Sequence, residues 1–354
     1  MGHKTAIKVK IEPYCEEDRE SYEEFLSKRP EATIYHTLLW KKVIDTSFNY
    51  KSIYLVTKDI KNKIHAIFPL YCVKTLLGCR LESIPFSIYG GAIGDKEFIE
   101  KMIKKAIQLK EELNCNCILV KQPSSNLDTE FKKNAFIKHE NRLNQYINIE
   151  KPELLWKQIK KSNRNAIRQG LKNELKLERV NKNPNIEEFY RLDLMTRKRT
   201  GFLPPPIILY KKMWEILHPK GYLELFNIKY NSKTIASALF LLFNKKIICA
   251  CATSDTQNLK LRPNNLLLWK VLEWAYENNY ETLDLGMTLI DGEGLIFFKK
   301  SFNTNDTLYG HQYYPDSVIS FENTAVNKLG RISIKLIPIG LMKYAGPYLT
   351  SKFG

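Results

Sequence analysis

Apolar residues recur along the chain with two different periods, and the switches between them outline its elements. Ile7-Lys8-Val9-Lys10-Ile11 alternates apolar and basic side chains, which predicts an opening strand. Residues 18–28 place Tyr22, Phe25 and Leu26 on one helical face, and residues 37–44 predict a second short helix. Residues 51–57 and 64–73, joined by a turn over 58–62, predict a hairpin. An amphipathic helix at 96–114 and a strand at 115–121 follow. The second half runs through a similar order. It opens with a basic helix at 153–173, a strand at 175–180 and a helix at 185–200. Leu203-Pro204-Pro205-Pro206 cannot be helical, because proline lacks the N–H and clashes with the preceding turn. A helix at 207–217, strands at 222–229, 234–243 and 245–254, a helix at 263–279 and a strand at 281–286 complete the pattern. The repeated order predicts an α+β architecture in which one unit occurs twice, with largely antiparallel sheets flanked by helices. The domains expected are 1–150 and 151–315, followed by a basic amphipathic tail at 316–354.

Length and composition agree with two domains. The 354 residues exceed one small domain, and 17 Phe, 19 Tyr and 5 Trp can fill two cores, which excludes wholesale disorder. No apolar run approaches the roughly 18–20 residues of a membrane-spanning helix. The stretch from Met1 to Ala6 has no apolar core behind its charges, so no secretory signal is visible. Seven cysteines, an odd number in a long chain, predict reduced thiols and a cytoplasmic location rather than a disulfide framework.

Charge changes the picture more. Lys and Arg total 55 against 38 Asp and Glu, a formal net charge of +17. The excess clusters at 156–182, at 191–220 and at 323–354, the last of which contains no acid. Such fields attract polyanions, acidic lipid surfaces or phosphorylated substrates, although solvated helix faces would look the same.

Candidate chemistry is sparse. The six histidines are scattered, with no pair at metal-ligand spacing. Cys115-Asn116-Cys117 and Cys249-Ala250-Cys251 each fall in apolar strands, where a two-residue period puts both sulfurs on one face. A four-thiolate zinc site is conceivable from these pairs, but buried strand cysteines acting as small hydrophobes explain them better, and no metal is expected. The predicted helix at 263–279 opens after Lys260-Leu261-Arg262, with Asn264 and Asn265 as capping candidates. Arg262, Asn264 and Asn265 thereby form a candidate anion cradle for a donor co-substrate. The most marked feature is Asp284-Leu285-Gly286 followed by Gly294-Leu295-Ile296-Phe297-Phe298-Lys299. A lysine among Phe297, Phe298 and Phe302 is poorly hydrated and would act strongly on a developing oxyanion or a phosphate; a snorkelling surface lysine is the alternative.

The order of several motifs resembles the FemA/FemB/FemX group of FemAB-like acyltransferases over roughly residues 30–350. They are His36 with Trp40, Phe68-Pro69-Leu70, Leu81-Glu82-Ser83-Ile84-Pro85-Phe86 before Tyr89-Gly90-Gly91, and Thr196 with Arg199-Thr200-Gly201-Phe202. Pro263-Asn264-Asn265-Leu266-Leu267-Leu268-Trp269 and the Asp284-Leu285-Gly286 to Lys299 stretch complete the set. The resemblance implies two GNAT-like domains, the first completed by residues after 315. It implies transfer of an acyl or aminoacyl group, from aminoacyl-tRNA or acyl-CoA as donor and with no resident cofactor, to an amine on a cell-envelope precursor. In its terms Lys299 lies near the transferred carbonyl, and Arg199 contacts substrate phosphate. Phe298 and Tyr89 are the remaining substrate-binding candidates. The long helical hairpin that some members use for tRNA, and the glycine-rich pyrophosphate loop of acetyl-CoA enzymes, have no counterpart here.

The expected chemistry is attack of a neutral amine on an activated ester or thioester, with Lys299 stabilising the oxyanion. Asp291 and Glu293 are near Lys299 but read as solvated, and Asp284 reads as a structural hydrogen-bond partner, so no general base stands out. A basic, non-catalytic nucleic-acid binder is the competing reading. Expected partners are an anionic or lipid-linked acceptor and tRNA. The tail, with Leu329, Ile332, Leu336, Ile339 and Met342 among lysines, suits either an anionic membrane at the inner face or docking on the protein body.

Overall fold

The computed structural model describes residues 9–75, 78–122, 125–315 and 325–353. Within these, the chain divides into two units: Met1–Glu140 with Gly310–Glu322, and Asn141–Tyr309 with Asn323–Gly354. The division falls before the boundary expected at 150–151. The described part of the expected tail, 325–353, groups with the second unit.

The first unit runs through β1 (Val9–Pro13), α1 (Arg19–Ser27), α2 (Leu38–Ser47), β2 (Lys51–Asp59), β3 (Ile64–Thr75), β4 (Gly78–Glu82), β5 (Ile93–Gly94), α3 (Lys96–Glu112), β6 (Cys117–Val120) and α4 (Asp128–Lys133). Strands β1 to β4 pair in order as an antiparallel meander, and β6 adds to β4 in parallel. Residues 312–314 then pair with β6, so a segment from late in the chain closes this sheet. Helix α3 turns Phe98, Ile99, Met102, Ile103 and Ala106 inward at helical spacing, onto Leu55, Phe68, Leu70 and Ile118 of the sheet.

The second unit contains the later part of β7 (Ile137–Asn148), α5 (Pro152–Gln158), α6 (Lys161–Lys172), β8 (Lys176–Arg179), α7 (Ile186–Thr200), α8 (Ile207–Leu217), β9 (Leu223–Tyr230), β10 (Lys233–Phe243), β11 (Lys246–Ser254), α9 (Pro263–Glu277), β12 (Thr282–Leu289), α10 (Glu293–Lys300), the start of β13 (Asn305–Tyr314), α11 (Ala325–Leu336) and α12 (Ile339–Phe353). Its sheet has the order β7-β12-β11-β10-β9-β8. All neighbours are antiparallel except β11 and β12, which the α9 crossover makes parallel. That parallel ladder is short. It pairs Lys246, Ile247 and Ile248 with Thr282, Leu283 and Asp284 and then stops. Helix α9 buries Leu266, Val271, Leu272 and Ala275 in one core with Phe226, Phe240, Ile247 and Leu283 of the sheet.

Several expectations need correction. The single basic helix at 153–173 is two helices, broken where Ile159 turns extended. Arg164 holds the break by donating from Nη1 to the carbonyls of Trp156 (3.2 Å), Lys157 (3.1 Å) and Ile159 (2.5 Å), all from the exhausted end of α5. The segment around Phe297 and Lys299 is a full helix, α10. Strands β7 and β13 were not visible in the apolar pattern. The first two residues of the predicted opening strand, Ile7 and Lys8, lie outside the described residues.

Candidate active site

The chemistry collects where β11 and β12 separate. Beyond the last paired residues, Cys249, Ala252 and Ser254 of β11 face Leu285 of β12 across a cavity of about 390 Å³, with α7, α9 and α10 forming the other walls. Thr196 and Asn264 stitch these walls together. Thr196 Oγ1 accepts from Ser254 N–H (3.0 Å), and Asn264 Nδ2 donates to Ser254 Oγ (3.2 Å). The lining is mainly apolar, so a charge inside it acts through little water.

That charge is Lys299. It is 5% exposed, in the last turn of α10, where the helix dipole favours a cation. Its Nζ donates to Gly286 O (2.7 Å) and Thr288 Oγ1 (2.8 Å), which leaves one of three donors for another acceptor. The acceptor carbonyl is itself fixed. Gly286 has φ +72°, open to glycine, and its N–H donates to Asp284 Oδ1 (2.7 Å). Burial pulls the Lys299 pKa down from 10.5 to about 8, against the opposing pull of Cys249, Asp284 and Asp306. The alternative of a snorkelling surface lysine is thereby excluded, and Asp284 is the hydrogen-bond partner it was expected to be.

Arg199, in the last turn of α7, lines the same cavity and makes no ion pair among the described residues. Gly201, which follows it, caps α7 at φ +78°; an added Cβ there would come within 2.6 Å of Arg331 O. The Arg199-Thr200-Gly201-Phe202 motif therefore ends a helix, presents a free guanidinium and seats the tail. Phe298 borders this cavity and a second one of about 360 Å³, formed by α6, the start of α9 and α10.

The expected cradle at 262–265 is divided between the two cavities. Asn264 belongs to the first, while Arg262 and Asn265 line the second. Arg262, not an asparagine, occupies the N-cap position, at φ +65° and without a side-chain cap bond. Asn265 Nδ2 donates instead to Asn163 Oδ1 (2.7 Å), leaving the Asn163 amide nitrogen buried with no partner inside the second cavity. Asn163 was not anticipated, since nothing in its local sequence marks it.

Tyr89 is not among the residues lining either cavity; it is buried in the first unit. The motifs of that unit instead hold one another. His36 Nδ1 accepts from Thr33 N–H (3.1 Å), so Nε2 donates to Gly91 O (3.2 Å), and burial lowers the ring to about 4, keeping it neutral. Gly90 and Gly91 N–H groups donate to Lys121 O. The Lys121 ammonium lies 2.6 Å from buried Glu82, and Arg80 lies 2.7 Å from the same carboxylate. Burial would raise the Glu82 pKa, but Arg80 and Lys121 hold it at about 2. This buried charge triad also escaped the sequence.

No carboxylate lines the first cavity among the described residues. Asp291, expected as a solvated loop acid, pairs with Arg331 (3.0 Å), and Glu293 is exposed but opens α10 instead of lying in a loop. Cys249 does line it, but burial pushes its thiol up to about 12, so it offers no thiolate at neutral pH.

A profile of the acetyltransferase (GNAT) domain matches residues 157–294, which includes most of the cavity wall and stops short of Lys299. A lipid II:glycine glycyltransferase of Staphylococcus saprophyticus is 31% identical over 99 residues, which is 28% of this chain. That match covers 24% of the relative, so the chain spans about a quarter of its length. The crystal structure of FemX superposes with a TM-score of 0.67 at 14% identity, over 88% of this chain and 99% of FemX.

The chain resembles the FemAB-like transferases, in fold over most of its length and in sequence over part of it.

A tandem GNAT protein from the clavulanic acid biosynthesis pathway also superposes, with a TM-score of 0.58 at 8% identity over 86% of this chain and 98% of its own. The doubled α+β, GNAT-like architecture expected from the sequence is the one observed. No described helix is long and apolar enough to cross a membrane.

Proposed function

We propose that the chain is an N-acyltransferase or aminoacyltransferase whose reacting centre is the Lys299 cavity of the second unit. The observation that carries this is a lysine buried in a mainly apolar cavity with one donor unused. A fixed cation in such a place is suited to the oxyanion that forms when an amine attacks an ester or thioester carbonyl. With no carboxylate in the wall, the amine attacks as the free base, and the chain's contribution is positioning and charge stabilisation. Arg199 would hold a phosphate of one substrate at the mouth. The second cavity, with Arg262, Asn265 and the unpaired Asn163 amide, suits the anionic carrier of the acyl donor. The similarity to a lipid II:glycine glycyltransferase supports a lipid-linked acceptor; aminoacyl-tRNA as donor is the expectation carried by the motif order alone.

The tail supports a place for that acceptor. Its helices α11 and α12 pack on α7; Arg331 pairs with Asp291 before α10 and lies 4.9 Å over the Phe202 ring after α7, and Met342 is buried. Yet Ile332, Leu336, Leu341, Tyr344 and Tyr348 remain exposed, Leu336 at 78%, beside Lys335 and Lys343. A basic helix pair that exposes such a face suits peripheral contact with an anionic membrane at its cytoplasmic side. Pro338 separates the two helices instead of kinking one.

The test is to incubate the protein with aminoacyl-tRNA and with acyl-CoA in parallel, each with amine acceptors including lipid-linked peptidoglycan precursors. Transfer from either donor supports the reading and selects the donor. Salt-sensitive binding to arbitrary RNA with no transfer from either would instead establish the nucleic-acid binder.

A further inference from the structure

Three of the seven cysteines meet at one point in the first unit, two from one hairpin and the third from 36 residues further on, outside the cavities described above. The Sγ atoms of Cys72 and Cys79 are 3.0 Å apart, those of Cys79 and Cys115 are 2.7 Å apart, and those of Cys72 and Cys115 are 3.9 Å apart. The set differs from the adjacent pairs visible in the sequence. Cys115 belongs to the core under α3 while Cys117 does not, and Cys249 and Cys251 belong to the second unit.

Backbone, not chance side-chain placement, brings them together. Cys72 of β3 pairs with Leu81 and Lys74 pairs with Cys79 of β4, so both sulfurs stand on one face of the hairpin, diagonally opposed. Asn116 then clamps the residue before β6 onto Cys79. Its N–H donates to Cys79 O (2.6 Å), and its side-chain oxygen accepts from Cys79 N–H (2.9 Å). Gly78, at φ +125°, makes that approach possible, since an added Cβ would overlap the Asn116 amide. Three sulfurs held this closely by two strands and the turn before β6 are crowded as thiols, because none can find more than a weak S–H partner.

We propose that Cys72, Cys79 and Cys115 form a trithiolate site for one thiophilic d10 metal ion, Zn2+ or Cu(I). Metal–sulfur bonds of about 2.3 Å set the sulfurs of such a site about 3.8 Å apart. Cys72 and Cys115 already have that spacing, and the other two pairs reach it by opening about 1 Å. An all-sulfur donor set with no carboxylate or imidazole selects soft ions over Mg2+, Ca2+ or Mn2+. Binding exchanges protons for metal: three thiols lose three protons, and three sulfur–metal bonds form with no change of oxidation state. The half-exposed Cys79 provides the route for the ion. The role is structural: the ion would lock the β3–β4 hairpin to the start of β6.

The full-length protein, reduced with a phosphine and freed of metal, is titrated with Zn2+ against a chromophoric chelator and with Cu(I) against a cuprous chelator. Cd2+ serves as the ultraviolet probe of thiolate ligation. One equivalent bound with three protons released is expected, and the two titrations identify the ion. Cys79→Ala, half-exposed and so tolerant of change, should bind at least about 100-fold more weakly at unchanged apo melting temperature, and Cys117→Ala should bind like the parent. The double variant Cys72→Val/Cys115→Val gives a second check. Failure to bind either ion, binding indifferent to all three cysteines, or a Cys79–Cys115 disulfide formed in the presence of one equivalent of metal would overturn the proposal.

Discussion

Replacing Lys299 by Met keeps the length and bulk of the side chain and removes its charge, so it isolates what the charge does. In the parent, a pKa of about 8 leaves the ammonium roughly nine-tenths protonated at pH 7. Loss of a fixed oxyanion donor costs about 2.7–4 kcal/mol, or ~10²–10³ in the rate of transfer. Stability should move less. Lowering the pKa from 10.5 to about 8 means that burying the cation costs about 3 kcal/mol, which the variant recovers. Leaving Gly286 O and Thr288 Oγ1 unpaired costs about 1–3 kcal/mol each, so against the recovered term the net change lies between about −1 and +3 kcal/mol. The pH dependence is a separate signature. The parent's transfer should rise as the acceptor amine deprotonates and fall again above about pH 8, as Lys299 loses its proton. Because the folded-state pKa lies below the unfolded one, the unfolded chain binds the extra proton between pH 8 and 10.5, and this group's contribution to stability rises with pH there. The assay is single-turnover transfer of labelled acyl group across pH 6–10, with circular dichroism and thermal melting of both proteins. A Met variant within threefold of the parent, or one that retains the alkaline fall, would refute the assignment. A variant that loses activity only because it melts would be recognised by the melting curve.

Other consequences follow from particular contacts. Arg199→Ala should raise the KM for the phosphate-bearing substrate about tenfold while changing stability by less than about 0.5 kcal/mol, because the exposed guanidinium has no ion pair to lose; steady-state kinetics and melting would show both. Glu82→Gln should destabilise the first unit by about 3 kcal/mol at pH 7, since it leaves Lys121 and Arg80 without their buried partner. The parent should lose this contribution on acidification below about pH 4.5, completely only near pH 2, because the depressed pKa makes the unfolded carboxyl bind its proton first; denaturant melts against pH test it. Gly201→Val should cost about 1–3 kcal/mol and loosen α11, through φ strain and overlap with Arg331 O, which limited proteolysis of the tail would detect. Leu336→Glu with Leu341→Glu should abolish co-sedimentation with anionic liposomes while leaving transfer to a soluble acceptor unchanged.

Where periodicity was strong, the elements were legible. The amphipathic faces of α1 and α3, the β2–β3 hairpin, the proline stop before α8 and the β9–β10–β11 meander follow from local spacing that a single face of burial imposes. β7 and β13 did not show, because Ile137-Lys138-His139-Glu140-Asn141-Arg142 and Asn305-Asp306-Thr307-Leu308 carry polar side chains on both faces and take their pairing from neighbours distant in sequence. Residue order also pointed to Lys299 and Arg199, and both line the first cavity.

The amino-acid sequence by itself determined the type of each strongly periodic element, the doubling of an α+β unit, the clusters of positive charge and the short motifs that resemble a transferase family. Those are properties of neighbours along the chain. Only the tertiary structure decided that β11 and β12 part after three paired residues, that Lys299 is thereby buried instead of snorkelling, and that the cradle at 262–265 divides between two cavities. It likewise decided that Tyr89 packs in the first unit and that Cys72, Cys79 and Cys115, not the adjacent cysteines, meet. Burial, desolvation and ligand sets depend on which distant segments share a volume, and one-dimensional spacing carries no record of that.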